Sequence, residues 1–179
     1  ELKFNIIYDV GAASSALGAP ANSTDGTIDL AGGADLTYTG GATSSDRIIN
    51  LTGTGEGTVR NSGSGLLTLT GGITGTGQNI TFQGAGTTIT ETGVIATGAG
   101  TVSRGDGGTL FLTNAANSFS GDVIVKNVTI STDSIADKGA LSALGTGNSI
   151  IFGVTTADQT GTLTFTGGYG GSSNRDIII

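Results

Sequence analysis

Along this chain, apolar and β-branched residues alternate with Thr, Ser or Asn in runs of three to five residues, each closed by Gly, Asn or Asp. The clearest runs are Leu36-Thr37-Tyr38-Thr39-Gly40-Gly41, Leu67-Thr68-Leu69-Thr70-Gly71-Gly72 and Leu163-Thr164-Phe165-Thr166-Gly167-Gly168, with Leu110-Phe111-Leu112-Thr113-Asn114 between them. Shorter ones are Ile80–Phe82, Thr88–Thr90, Val123–Val125, Val128–Ile130 and Ile150–Phe152. Alternation at period two, bounded by turn formers, predicts strands. Helical spacing of apolar residues is nearly absent. Strands this short need neighbours to be stable.

Spacing says how they find them. Ile28, Ile49, Leu69, Ile89, Leu110, Ile130 and Ile150 follow at intervals of 20 or 21 residues. A second track, Tyr38, Val59, Ile80, Val102 and Val123, steps by 21 or 22. Two tracks with one period predict the coils of a solenoid, stacked so that equivalent apolar residues meet inside. The fold expected is all-β: a parallel β-helix of about eight or nine coils, a rod on the order of 40 Å long.

A longer period overlies the short one. Ala16-Leu17-Gly18 recurs as Ala143-Leu144-Gly145, and the Leu36 motif as the Leu163 motif, both at an offset of 127; Ser44-Ser45-Asp46-Arg47 matches Ser172-Ser173-Asn174-Arg175 at 128. Residues 16–51 therefore pair with 143–179 in a super-repeat of about 127 residues. The expectation is a single β-helix segment over 1–179, belonging to a longer array whose neighbouring repeats are its first partners.

Composition agrees with corners and flat strands. Of 179 residues 34 are Gly and 30 are Thr, while Pro occurs once. Gly supplies the left-handed conformations that corners require, Thr suits half-buried strands, and Pro would break the ladder between coils. Cys, Met, Trp and His are absent, which removes disulfides, thiolate or imidazole metal sites and His-based catalysis. Seven basic residues against 14 acidic ones leave a net charge of −7. The cations Lys3, Arg47, Arg60, Arg104, Lys126, Lys138 and Arg175 are scattered, so a nucleic-acid or anionic-lipid partner is not expected. No run reaches the ~18 apolar residues of a membrane helix.

The segment from Gly107 to Gly121, Gly-Gly-Thr-Leu-Phe-Leu-Thr-Asn-Ala-Ala-Asn-Ser-Phe-Ser-Gly, followed by the Val123–Ile130 strands and the Ala143-Leu144-Gly145 corner, resembles the passenger-associated β-strand repeat of bacterial autotransporters. That pattern runs Gly-x-Leu-x-Leu-Thr-Gly-x-Asn-x-Tyr-x-Gly. Here Asn114 stands for its second Gly, Phe119 for its Tyr, and Asn127-Val128 for a Gly-Thr pair. The resemblance implies a right-handed parallel β-helix in the secreted passenger of a Gram-negative bacterium. It also implies display at the cell surface, with the outer-membrane anchor in a region outside this chain. A stalk repeat brings no catalytic residues with it.

Candidate chemistry is sparse. Asp25, Asp29 and Asp35, and Asp133 and Asp137, are the nearest acidic groupings. A glycosidase needs two carboxyls facing one cleft, and these stand without Trp or a basic cluster beside them. Gly105-Asp106-Gly107-Gly108 is a single Gly/Asp turn, whereas calcium-binding repeats need the motif on successive coils. Thr triplets at 37–39, 68–70, 88–90 and 164–166 are unevenly spaced and predict no regular outward Thr face. Asn50, Asn61, Asn79, Asn114, Asn117, Asn127 and Asn148 suit corner links, and Phe82, Phe111, Phe119, Phe152 and Phe165 suit core filling. No catalytic, cofactor or metal residues are assigned and no enzyme is expected. The function expected is a structural stalk that holds a functional region away from the cell. The alternatives are an adhesive or self-associating rod flank, taking other copies of the chain, surface glycans or proteins, and, more remotely, a polysaccharide-active enzyme.

Overall fold

The computed structural model describes residues 1–153, 160–168 and 171–179. Three parallel sheets build it, the first along the whole stack and the third only as far as Ala96. The first holds eight strands: β1 (Leu2–Phe4), β3 (Asp35–Tyr38), β6 (Glu56–Asn61), β9 (Asn79–Gln83), β12 (Val102–Arg104), β14 (Val123–Val125), β16 (Ser149–Phe152) and β18 (Asp176–Ile178). The second stacks β4 (Thr43–Ser45), β7 (Leu67–Leu69), β10 (Thr88–Glu91), β13 (Thr109–Leu112), β15 (Thr129–Thr132) and β17 (Thr162–Phe165). The third is β2 (Ile28–Ala31), β5 (Ile49–Thr52), β8 (Ile73–Thr74) and β11 (Ile95–Ala96). The chain visits them in rotation, so each sheet pairs residues about one coil apart. This is a parallel β-helix. A single helical turn, α1 (Ser23–Gly26), interrupts it, and among the described residues no helix is long and apolar enough to cross a membrane.

The first sheet has eight strands and the second six, so about six turns are complete on both, slightly fewer than the eight or nine expected. In the middle of the rod the coils keep the short step of the sequence tracks, as from Val102 to Val123 or Val59 to Phe82. The outer steps are longer: Leu2 pairs with Leu36, Val123 with Ile150 and Ile150 with Ile177. Excursions between Phe4 and Ile28 and between Thr132 and Ser149 use those residues without adding coils. Seven spacings in the first sheet at ~4.8 Å make a rod of about 34 Å.

The inward rows explain the cooperativity of the stack. In the first sheet Leu36, Val59, Phe82, Arg104, Val125 and Phe152 fall in register, beside Ile80, Val102, Val123 and Ile150. In the second, Leu67, Ile89, Leu110, Ile130 and Leu163 align. Ile28, Ile49, Ile73 and Ile95 line the third. The first periodic track therefore crosses sheets. Its Ile28–Ile49 and Ile89–Leu110–Ile130 steps are true neighbours, but Ile49 stacks on Ile73 rather than Leu69, and Ile130 on Leu163 rather than Ile150. Because the three faces share one period, a step close to one coil length also connects one sheet to the next.

Corners decide which residues may turn. Gly108 adopts φ +76, and a Cβ there would lie 2.1 Å from the Thr87 carbonyl oxygen. Gly is thus required both by conformation and by space. Asp106 and Asn127 occupy the left-handed region at corners one coil apart, with φ 62 and 53, the region Asx residues tolerate best.

Buried arginines hold these corners from inside. Arg47 donates from Nη1 to Leu17 O and from Nη2 to Gly18 O, both at 2.8 Å, and from Nε to Tyr8 O. Arg175 repeats this arrangement on Leu144, Gly145 and Ala136. The neighbouring bonds recur as well: Asp46 N to Asp9 Oδ1, and Asn174 N to Asp137 Oδ1. Neither guanidinium meets a carboxylate among the described residues; each saturates corner carbonyls that strands cannot reach. An Arg47→Met chain keeps the apolar stem but leaves Leu17 O without its donor and takes one donor each from Gly18 O and Tyr8 O, which keep Ser15 and Ser45. It is expected to lose about 2 kcal/mol and to become sensitive to limited proteolysis within residues 9–27, while cleavage elsewhere is unchanged.

Candidate interaction surface

The outward side of the first sheet carries the densest polar arrangement. Strand alternation puts Thr58, Thr81 and Ser103 in one outward row and Thr37, Arg60 and Gln83 in the next. Arg60 links its own coil to three others: its Nη1 donates to Asp106 Oδ2 at 2.8 Å, its Nη2 donates to Gln83 Oε1, and Asp35 Oδ2 lies 3.8 Å away. Below this network the Thr81 and Ser103 hydroxyls hydrogen-bond to each other and are almost fully covered. Together they form a groove of about 240 Å³, bordered by Glu56, Gln83, Asp106, Lys126 and Asn127. Farther along the same outward row the character changes, since Ser103 is followed by Ile124, Ile151 and Ile178.

The acidic groupings do not converge. Asp25 accepts from the Asn22 side chain, which caps α1. Asp29 accepts from Asn50 in the third sheet, and Asp35 faces Arg60 in the first. Asp137 accepts the Asn174 amide. Each of these four carboxylates serves a local turn or a coil-to-coil link. Among the described residues no three His, Cys, Asp or Glu side chains gather to hold a metal ion.

Asparagines act as individual links. Asn61 donates to Gly65 O and Thr88 O, and Asn117 accepts from Ile95 N while donating to Ala143 O. Both are fully buried. Asn79, Asn114 and Asn50 join coils at other corners, so the amides do not form one ladder. Phe82 and Phe119 fill the core, whereas Phe111 and Phe165 point outward and are exposed. A Thr row does exist: Thr88, Thr109, Thr129 and Thr162 pair in succession on the second sheet. Triplet spacing hides it, because only two of its four members belong to a Thr-x-Thr motif.

Two buried ionisable groups escape sequence reasoning. Arg104, inward between Phe82 and Val125, donates from Nη2 to Gly84 O and Thr87 O while Nε and Nη1 lack partners. Burial pulls its guanidinium down to about 10, with the Asp106 carboxylate opposing. Glu91 occupies an inward position between Leu69 and Leu112. Its Oε1 accepts Gly93 N at 2.8 Å and its Oε2 has no partner. Burial raises this carboxyl well above the usual range, opposed by the Gly93 bond. The only sequence signal is position: both fall where the alternation calls for an apolar residue.

Over 195 aligned positions the chain is 35% identical to the Adhesin BmaC autotransporter of Brucella suis biovar 1 (strain 1330). The alignment covers 98% of this chain and 6% of that protein. The chain thus spans only a small fraction of its relative's length. No family model matches the chain, and no solved structure matches it. Across nearly all of its length, this β-helix is similar to a short stretch of an autotransporter adhesin.

Proposed function

We propose that the chain is a rod segment of a surface-displayed, autotransporter-like passenger, one stretch of a longer array built on the long super-repeat. The observation that carries this reading is the unbroken eight-stranded first sheet with its in-register inward rows. Hydrogen bonding along the axis and a continuous apolar interior resist bending and extension without disulfides. The duplicated Arg47 and Arg175 corners support the repeat unit. The likeness to an autotransporter adhesin supports display at the bacterial surface. A second reading, adhesion through a flank of the rod, draws on that relative's name and on the polar outer face of the first sheet.

Deleting residues 16–142 from the full-length surface protein joins Ser15 to Ala143 in repeat register. It removes five strands of the first sheet, β3, β6, β9, β12 and β14. The tip is expected to keep its activity and lie about 24 Å closer to the membrane, as measured by atomic force microscopy on cells. Loss of tip activity from a deleted protein that is still folded and displayed overturns the stalk reading. Binding of the isolated 179-residue chain to cells, glycans or itself distinguishes the adhesive one.

A further inference from the structure

We infer that the groove on the outer face of the first sheet binds a single neutral sugar residue. The inference goes beyond the stalk role and rests on the adhesive reading only for its biological setting.

The floor is built rather than incidental. Thr81 and Ser103 are 6% and 3% exposed, yet both hydroxyls face outward into the groove. Their mutual hydrogen bond uses one proton and one lone pair, leaving a donor and further acceptor sites for a ligand. One wall is fixed in advance, because Arg60 holds both Gln83 and Asp106. Lys126 continues that wall one coil farther on and Glu56 stands on the other side of the Thr81–Ser103 row; neither makes an ion pair among the described residues, so both retain their hydrogen-bonding capacity.

The lining selects the class of ligand. No apolar or aromatic side chain borders the groove, so a lipid, an aliphatic side chain or a stacked aromatic gains nothing there. Glu56 and Asp106 line the groove with Lys126, and Arg60, set behind them, is held between Asp106 and Asp35, so charges of both signs stand close together and neither an anion nor a cation meets a surface of one sign. What remains is an uncharged molecule carrying donors and acceptors on every face. A volume of about 240 Å³, below the usual range for drug-sized ligands, admits one ring rather than a chain. With little apolar area to bury, the expected affinity is weak, with Kd on the order of 1–10 mM. Several such grooves along an array would gain by avidity.

Titration of the 15N-labelled chain with glucose, galactose, mannose and N-acetylglucosamine, each to ~50 mM, tests this by amide chemical shift. At least one neutral sugar is expected to shift the amides of Gln83, Gly105, Asp106 and Asn127 saturably. Lys126→Ala and Asn127→Gly are expected to weaken those shifts by about tenfold each, with the unfolding midpoint unchanged. Glycine suits the left-handed backbone at 127. The inference is overturned if no neutral sugar saturates, if only sialic acid shifts these amides, or if both variants bind as the parent does. A chain that binds sugar but does not adhere to cells refutes the adhesive reading and leaves the groove standing. Cell adhesion undiminished in both groove variants, with no sugar shifts in the parent, does the reverse.

Discussion

Replacement of Phe82 by alanine is expected to lower the unfolding free energy by roughly 3–5 kcal/mol. Phe82 is 0% exposed and lies in register between Val59 and Arg104 near the middle of the first sheet. Truncation removes the ring's burial and leaves a void among core side chains whose backbone is already fixed by coil-to-coil bonds, so collapse is limited. Position in the stack adds to the effect. Each coil is stabilised only by its neighbours, so a weakened central coil separates the rod into two shorter, less stable halves. The comparison is Phe111→Ala, the same truncation on the outward face, where the ring is already 36% exposed. It is expected to cost no more than about 1 kcal/mol. Urea unfolding of both variants measures the difference, and near-equal losses would contradict the inward–outward assignment.

The second large effect depends on pH. Glu91 is enclosed in the core, and burial holds its carboxyl well above the ordinary value of 4.5. The folded chain therefore binds this proton more tightly than the unfolded chain does. Stability from this group is complete below the unfolded pKa and declines as pH rises toward the folded one. That trend opposes the usual behaviour of paired surface carboxylates. Glu91→Gln preserves shape, keeps an oxygen for Gly93 N and cannot ionise. It should match the parent near pH ~4 and exceed it near pH ~8 by roughly 1–3 kcal/mol, or about 2–12 °C in melting temperature. No charged group pairs with Glu91 among the described residues, so Gln removes no ion pair. Thermal melts that stay parallel from pH ~4 to ~8 would show that Glu91 does not ionise in the unfolded chain alone.

Much of the architecture is legible in the sequence because the alternation is local. Leu67–Leu69, Thr88–Thr90 and Val123–Val125 are strands in the sequence reading and in the structure, since a period of two needs only the run itself. Register is less accessible. The periodic track puts Tyr38 on Val59, whereas Leu36 is the actual neighbour of Val59 and Tyr38 meets Asn61. A shift of two residues keeps every side chain on its original face, so the hydrophobic pattern cannot detect it. The buried arginines read only as scattered cations for a related reason. Arg47 acquires its partners from a corner about thirty residues upstream, a distance that composition and charge do not encode. The groove is hidden for the same cause, because Glu56, Gln83, Asp106 and Lys126 meet only when four coils are stacked.

From the residues alone it follows that the chain forms short strands, that many of them recur with a common period and that turn formers, chiefly Gly, make the corners. These properties come from alternation, period and backbone conformation, which act over neighbouring residues or repeat along the chain. Which run stacks on which, how many turns form and where excursions absorb length are settled only by the packed coils. The same packing turns Arg47, Arg104 and Glu91 inward and opens a polar groove on the first sheet. Those outcomes depend on hydrogen bonds and burial between coils, whose geometry exists only once the coils are stacked.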